Sequence, residues 1–354
     1  MLRVSATAPE PEAIAEAAAV LAAGGLVAFP TETVYGLGAR GLHAADVMRI
    51  FEAKQRPHGH PLILHVDGEA MARTLAAVWP ERASRLAKAF WPGPLTLVVE
   101  RAAHVPDVVS GGLQTVGLRA PRHPVALALL EAVGEPLAAP SANAHTHVSP
   151  TTAAHVVRSL GDRVDLVLDA GACAHGIEST VVDVTTDPPR VLRAGATSLE
   201  AIRRVVPDAR YEVVTMQDDA VRASPGLASK HYAPRTRVVL AASGQGFVEA
   251  LTTVARGAGE RARVGAIVWS PHAKRDVRFT SGEKSEPSFT FEGTPYVLAA
   301  LASLPEEADA YGSLLFAALH DADAASLDVL VIERVPDEPA WWAIADRIRR
   351  AAEE

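Results

Sequence analysis

The segment LVAFPTETVYGLG, residues 26–38, joins a short apolar run to a polar turn. Residues 26–29 have the length and apolar character of a buried strand, and Pro30 ends it. Two hydroxyls and a carboxylate, in residues 31–33, then stand beside Gly36 and Gly38. Ligands of open α/β sheets bind at the carboxyl ends of strands, so these residues indicate a binding site. An N-cap followed by a tight turn explains the same residues equally well, and both interpretations stay open.

Outward from this segment, helical and strand patterns follow each other without strict alternation. This mixture predicts an α/β fold with an open, twisted, mixed sheet flanked by helices. Either Ser149 or Thr151 is available as the N-cap of the helix over residues 151–160. Helices are predicted over residues 10–25, 44–54, 81–90, 125–133, 151–160 and 199–205, and strands over 62–66, 95–100, 116–119, 166–169, 180–184 and 191–193.

A second, smaller α/β domain is predicted after a linker. Residues 217–235 hold two prolines, a glycine and few large aliphatic side chains, which is typical of interdomain linkers. Beyond them we predict a Rossmann-like unit whose residues 296–319 form one or two helices. Its Gly244-Gln245-Gly246 lacks the third glycine of a dinucleotide-binding turn, which disfavours such a site. The predicted parts are a domain over 1–208, a linker over 209–235 and a domain over 236–354.

Composition excludes several classes of protein. The chain has 354 residues, 49% of them apolar, which is enough for two domains with buried cores. Its single cysteine, Cys173, excludes an internal disulfide and a cysteine-rich zinc site, and we interpret it as a small buried filler. The net charge of −8 argues against a dedicated nucleic-acid binder. Without an apolar run of membrane-spanning length, the protein is expected to be soluble and cytoplasmic.

A cationic segment follows the predicted helix over residues 44–54. Lys54 and Arg56 stand at its carboxyl end, just before Pro57. Their charges suit the helix dipole, but a guanidinium fork and an ammonium group also suit a polyphosphate. His58, His60 and His65 are spaced too loosely to be more than weak evidence for a metal site.

Small polar residues and arginines mark several other strand ends. Residues 139–143 (APSAN) expose a backbone suited to an anion, and Ser141 lacks the flanking glycines of a nucleophile elbow. Residues 176–180 (GIEST), Arg119 and Arg193 also lie at strand ends. Together they predict a polar site for an anionic ligand.

These segments resemble the YrdC/Sua5 family of threonylcarbamoyl-AMP synthases. The linker sequence SPGLASKHYAP (224–234) and the C-terminal domain resemble the longer, two-domain Sua5 branch. The resemblance over residues 10–208 rests on FPTETVYGLG (29–38), AKQRP…PL (53–62), WPGPLT (91–96), VGLRAP (116–121), APSAN…SPT (139–151), GIESTVVD (176–183) and VLRAG (191–195).

The resemblance implies an enzyme that converts L-threonine, bicarbonate or CO2, and ATP into threonylcarbamoyl-AMP and pyrophosphate. Its product feeds N6-threonylcarbamoyladenosine formation at position 37 of tRNA through a downstream transferase machinery, with contact to tRNA left open. Mg²⁺ is the expected cofactor, and residues 224–234 are expected to cover the pocket as a lid. The resemblance assigns Lys54 and Arg56 to catalysis, Thr33, His65, Arg119, Ser141 and Ser179 to threonine, and Lys54, Arg56, His60, Thr115, Asn143, Ser149, Arg193, His231 and Tyr232 to ATP.

One loop departs from the family pattern, and two other functions are alternatives. Residues 144–148 (AHTHV) replace a common Ser-Gly pair, and His60 stands where the family varies. An RNA-binding module is one alternative, which tight, steeply salt-dependent tRNA binding without ATP turnover would favour. A carbamoyltransferase component of hydrogenase maturation is the other, but one cysteine leaves no room for its zinc fingers.

Overall fold

A computed structural model of the chain describes residues 1–211, 232–258, 262–279, 287–291 and 294–352. The chain divides into two compact units. The first comprises Met1–His145 and Ser149–Ala228, and the second Thr146–Val148 and Ser229–Glu354. Among the described residues, no helix combines the length and the apolar composition needed to cross a bilayer.

The first unit is built on one large mixed sheet. Its strands are β1 (Leu2–Arg3), β2 (Val27–Phe29), β3 (Gly36–Arg40), β4 (Ile63–His65), β5 (Ala76–Val78), β6 (Leu95–Arg101), β7 (Thr115–Arg119), β8 (Leu137–Ala138), β9 (Leu166–Asp169), β10 (Thr180–Asp183), β11 (Arg190–Arg193) and β12 (Arg210–Tyr211). They lie in the order β1-β9-β2-β3-β8-β4-β7-β6-β10-β11-β12, and β5 pairs with the outer part of β6.

Helices surround this sheet. They are α1 (Pro11–Ala22), α2 (Ala44–Lys54), α3 (Glu69–Thr74), α4 (Glu81–Phe90), α5 (Asp107–Ser110), α6 (Pro124–Val133), α7 (Ala153–Leu160) and α8 (Leu199–Val205). Helix α2 shows why the pattern predicted them: Val47, Ile50 and Phe51 share one face and are all buried. It ends where Gln55 takes a left-handed conformation with φ of 52°.

The start of α7 differs from the prediction. Its N-cap is Thr152, whose side chain accepts the backbone N–H of His155. Ser149 does not cap the helix because its hydroxyl donates to Glu178, and the Thr151 hydroxyl lies 3.3 Å from His155 Nδ1. The N-cap prediction is therefore wrong by one residue, because two neighbouring hydroxyls are engaged elsewhere.

The second unit holds a small parallel sheet beside an antiparallel one. Its elements are β13 (Arg237–Ala241), α9 (Gln245–Ala258), β14 (Val264–Val268), α10 (Pro271–Asp276), β15 (Val277–Phe279), β16 (Pro287–Phe291), β17 (Thr294–Val297), β18 (Ala300–Ser303), α11 (Ala308–Ala324), β19 (Val329–Glu333) and α12 (Trp342–Ala352). In the part of the chain that is described, the parallel sheet has the order β13-β19-β14-β18 and the antiparallel one the order β15-β16-β17.

The predicted helix over residues 296–319 is wrong in its first half. Residues 294–297 and 300–303 form β17 and β18 instead, and α11 begins only at Ala308. The alanines and leucines of this stretch favour a helix, but pairing of β18 with the buried strand β14 outweighs that local preference. Pro305 then separates the strand from the helix.

Candidate functional site

Three adjacent strands in the middle of the large sheet form the floor of the candidate site. Side chains alternate along a strand, so Thr115, Gly117 and Arg119 of β7 share one face. The opposite face carries Val116 and Leu118, which belong to the main hydrophobic core. The same alternation places Ile63 and His65 of β4, and Thr96 of β6, on the face of Arg119.

Gly117 leaves this part of the floor without a side chain. A methyl group at its Cα would lie 3.3 Å from Thr96 Cγ2 and 3.4 Å from Ile63 Cγ1. Gly117 is partly exposed although its strand is central in the sheet, so the sheet face is open above it. The floor therefore runs from Thr115 to Arg119, about 13 Å at roughly 3.3 Å per residue, rather than along one carboxyl edge of the sheet.

The Arg119 end of the floor carries a buried ion pair. Arg119 Nη2 lies 2.7 Å from Glu32 Oε1, and Arg119 Nε donates to the Gly93 carbonyl at 3.3 Å. The other oxygen of Glu32 accepts the Arg122 backbone N–H at 2.9 Å. Sequence reasoning quoted Glu32 as part of a polar turn but assigned it no role.

His65 lies next to Arg119 in the strand register. Burial and the positive charge of Arg119 lower the pKa of His65 to about 3. The imidazole is therefore neutral at physiological pH. It can exchange hydrogen bonds with a ligand, but it cannot supply a positive charge.

Ser179 connects the Arg119 end to a second guanidinium. Arg193 donates to the Ser179 carbonyl at 2.9 Å and to its hydroxyl at 3.1 Å, and that hydroxyl lies 2.8 Å from the hydroxyl of Thr96. The preceding residue, Glu178, accepts the Ser149 hydroxyl at 2.6 Å. Thr96 and Glu178 belong to the quoted WPGPLT and GIEST motifs, so the motifs were the signal that could have singled them out.

The Lys54 end lies beyond the opposite end of β7. The buried Lys54 ammonium group donates to the carbonyl oxygens of Ser141 and Asn143, both at 2.5 Å. Arg56 is buried as well and donates to the Pro61 carbonyl at 3.2 Å. Because β4 and β7 run parallel, with Ile63 opposite Gly117, Pro61 and Thr115 both lie toward the amino-terminal ends of these strands, away from Arg119.

Burial dominates the electrostatics of the Lys54 end. Loss of hydration, followed by the charges of Arg56 and Arg163, lowers the pKa of the Lys54 ammonium group well below its usual value. No carboxylate pairs with Lys54 in the described part of the chain. Binding of an anionic ligand beside Lys54 would therefore raise the pKa of Lys54 again and favour its charged form.

The histidines of this region do not converge on a metal. His58 stacks on Phe51 with ring centroids 5.4 Å apart, and His60 packs edge-on against His145 at 5.5 Å. His65 lies at the far end of β4. No group of three His, Cys, Asp or Glu side chains suited to a metal ion occurs in the described ranges.

The remaining predicted residues lie around the floor or away from it. Thr33 is buried within the polar turn, where its hydroxyl lies 2.8 Å from that of Thr31. Tyr232 belongs to the second unit, where it stacks on Phe316 at 5.6 Å and beneath the Arg347 guanidinium at 5.3 Å. His231 lies outside the described residues. Cys173 is buried, as a filler would be.

Sequence models of two families match the chain in succession. A Sua5, YciO and YrdC model described as "Telomere recombination" matches residues 19–195. A model described as "Threonylcarbamoyl-AMP synthase, C-terminal domain" matches residues 197–353. Threonylcarbamoyl-AMP synthase of Pyrococcus abyssi is 38% identical over 340 residues, which cover 95% of this chain and 93% of that protein. The Bacillus subtilis synthase is 35% identical over 96% of this chain and 92% of its own length.

The chain belongs to the threonylcarbamoyl-AMP synthase family. A solved structure agrees: P. abyssi Sua5 complexed with L-threonine superimposes with a TM-score of 0.86 at 35% identity, covering 99% of this chain and 98% of that one. This family member is therefore an enzyme, a nucleotidyltransferase that makes threonylcarbamoyl-AMP for tRNA modification. The predictions of family, fold class and enzymatic function are confirmed.

Proposed function

We propose that the floor between the Arg119 end and the Lys54 end binds L-threonine and ATP side by side. The observation that carries the proposal is the pairing of Ser179 with Arg193. The resemblance assigns the first residue to threonine and the second to ATP, so the two substrates would meet where these residues meet.

Threonine would lie at the Arg119 end. The Arg119 guanidinium is suited to hold the amino acid's carboxylate, because its planar fork matches two oxygens. The hydroxyls of Thr33 and Ser179 and the neutral His65 would supply hydrogen bonds around the small side chain. Ser141, whose carbonyl oxygen accepts from Lys54, would approach the threonine from the Lys54 end. Neutral His65 adds no second cation that would attract a second anion to this end.

The triphosphate would extend toward the Lys54 end. Lys54 and Arg56 would neutralise phosphate charge, and Arg193 would lie nearest the α-phosphate because it contacts Ser179. The other groups proposed for ATP are His60, Thr115, Asn143 and Ser149, with His231 and Tyr232 of the linker and residues 224–234 as a lid.

The reaction needs positioning and charge neutralisation more than covalent help. The threonine ammonium group first loses a proton. The neutral amine then attacks CO2 with loss of a second proton, or bicarbonate with loss of water, and either route gives a carbamate. A carbamate oxygen then attacks the α-phosphorus, and the bond to the pyrophosphate oxygen breaks. Fixed cations at the leaving group lower this barrier, and alignment of the two substrates lowers it further.

Mg²⁺ would enter together with ATP rather than reside in the protein. Mg²⁺ is bound mostly by substrate phosphates, water and one or two oxygen ligands of the chain. Glu178 Oε1 and Ser149 Oγ, 2.6 Å apart, are a pair of hard oxygen atoms that fits this need. The ion would supply additional neutralisation of phosphate charge.

The product, an acyl-adenylate, is labile and calls for a consuming transferase that acts on tRNA in the cytoplasm. The decisive experiment incubates the protein with ATP, bicarbonate and a panel of amino acids, and measures pyrophosphate. Release that requires threonine, and that serine or valine supports poorly, is the expected result. Pyrophosphate release independent of the amino acid would refute the proposal.

A further inference from the structure

The ion pair between Glu32 and Arg119 is unusual in its geometry. The two residues are each 4% exposed, and their charged atoms lie 2.7 Å apart. Yet neither Glu32 Oε1 nor Arg119 Nη2 has a partner with acceptable hydrogen-bond geometry among the described residues. Buried charges in contact but out of alignment lose part of the hydrogen bonding that would offset their dehydration.

The carboxylate of Glu32 is fixed on one side only. Its Oε2 accepts the Arg122 backbone N–H, and the Glu32 carbonyl accepts the backbone N–H of His175 at 2.8 Å. These bonds hold the backbone and one oxygen in place. The other oxygen, Oε1, is buried beside Arg119 and keeps its capacity to accept a hydrogen bond.

The pair offers the two charges that an α-amino acid requires. An amino acid at neutral pH carries a carboxylate and an ammonium group on the same carbon atom. A guanidinium and a carboxylate 2.7 Å apart present the complementary charges at a matching spacing. We propose that Glu32 binds the α-ammonium group of the amino-acid substrate while Arg119 binds its carboxylate.

This assignment rests on the proposed function and adds a source of specificity to it. Arg119 alone would accept any small carboxylic acid. With Glu32 beside it, an acid without an amine leaves a buried carboxylate unpaired and repelled by the ligand. The site therefore selects amino acids over hydroxy acids before any chemistry occurs.

The test compares threonine with 3-hydroxybutanoate, which has the same carbon skeleton and hydroxyl but no amine. Affinities for wild-type protein and Glu32→Gln are measured by calorimetry or by competition in the pyrophosphate assay. Glutamine keeps an acceptor for the Arg122 N–H but loses the charge. We expect threonine to bind at least about tenfold more weakly to Glu32→Gln, because the hydrogen bond between its ammonium group and a charged acceptor is lost. Binding of 3-hydroxybutanoate should weaken less than about threefold or become tighter.

Asp46→Asn is the matched control. It removes a carboxylate from another arginine contact of the same length, Arg40 Nε to Asp46 Oδ2 at 2.7 Å, at the opposite end of α2 from Lys54. Both ligands should bind it as they bind the wild-type protein. Weaker threonine binding in this control would indicate a general effect of losing an ion pair, and would overturn the proposal.

Two other outcomes would overturn it. Equal weakening of both ligands in Glu32→Gln would make Glu32 a support for Arg119, and equal tightening would make it a competitor of the substrate carboxylate. If Glu32→Gln does not fold, the wild-type protein still decides, because equal affinity for the two ligands contradicts an ammonium site. Wild-type protein that binds neither ligand would refute the proposed function itself, whereas the other outcomes leave that function intact.

Discussion

The two ends of the site floor handle charge in opposite ways. At the Arg119 end, a guanidinium is in contact with a carboxylate, and the nearby imidazole is neutral. At the Lys54 end, a buried ammonium group is held only by carbonyl oxygens of the described residues, with Arg56 as a further buried cation. The first end is suited to a ligand without net charge, and the second to a polyanion. Under the proposed function, this difference would separate the amino acid from the nucleotide on one continuous surface.

Removing Arg119, whose charge balances that of Glu32, should have the largest effect. Arg119→Leu leaves Glu32 buried without its counter-charge, which typically lowers the free energy of unfolding by about 3–5 kcal/mol. Threonine-dependent pyrophosphate release should also disappear. Urea denaturation and the pyrophosphate assay measure the two effects.

A double variant checks the cause of that loss. Adding Glu32→Gln to Arg119→Leu removes the stranded charge, so much of the lost stability should return while the activity does not. If the double variant is no more stable than the single one, the destabilisation comes from packing rather than from charge.

Removing the charge of Lys54 should lower the activity without the loss of stability that is expected for Arg119→Leu. Lys54→Met keeps the length of the side chain and deletes a charge whose burial is unfavourable. Pyrophosphate release should fall about 100-fold or more, as for other pre-organised groups at a reacting centre. The free energy of unfolding should stay within about 1–2 kcal/mol, because two carbonyl hydrogen bonds are lost but no buried charge is stranded.

Lys88→Met, which changes an exposed lysine of α4, is the control and should keep both properties. Near-normal turnover in Lys54→Met would remove Lys54 from the catalytic groups. A loss of stability as large as that of Arg119→Leu would contradict the contrast between the two ends.

The elements that could be predicted from the sequence are those with strong periodicity. Helix α2 follows its apolar face from Ala44 to Lys54 as predicted, and so do α4 and α8 over their full lengths. Strands of two residues, such as β8 and β12, carry no period that a sequence pattern could reveal. The strands β17 and β18 were missed because their pairing, not their composition, determines their conformation.

The site could be predicted in its residues but not in its geometry. Ser141 and Ser179 stood out through short motifs, and the family resemblance supplied their roles. That Thr115 and Arg119 share the face of one strand follows from alternation, but the open floor at Gly117 depends on neighbours from two other strands. The partnership of Glu32 with Arg119 joins positions far apart in sequence, and no local pattern indicates it.

A methyl group added at Gly117 should weaken the binding of threonine and of ATP alike. In Gly117→Ala the new methyl group meets Thr96 and Ile63 at 3.3 and 3.4 Å, so the strands must shift by a few tenths of an ångström. We expect the KM values for threonine and ATP to rise together, each by about tenfold, with a cost of about 1–3 kcal/mol for the overpacking. Steady-state kinetics with each substrate varied in turn measures this.

Gly257→Ala is the corresponding control, because nothing lies within 4 Å of the added methyl group in α9. It should leave both KM values unchanged. If Gly117→Ala raises the KM for one substrate only, the floor is not shared.

The last effect, which requires no change at the floor, is a pH dependence of the stability that belongs to the Arg119 end. The pKa of His65 is about 3 in the folded protein and near 6.5 in the unfolded chain, so the unfolded chain binds the proton more readily between these values. His65 therefore contributes its full stability above pH 6.5, and loses about 1.4 kcal/mol for each pH unit below it, down toward pH 3. His155, with a pKa of about 4 for the same reason of burial, adds a parallel slope outside the Arg119 end.

Unfolding free energies measured from pH 7 to 4.5 should fall less steeply in His65→Gln than in the wild-type protein, while His155→Gln removes only its own share. An unchanged slope in His65→Gln would mean that its imidazole is protonated in the folded state, and the Arg119 end would then carry net positive charge like the Lys54 end.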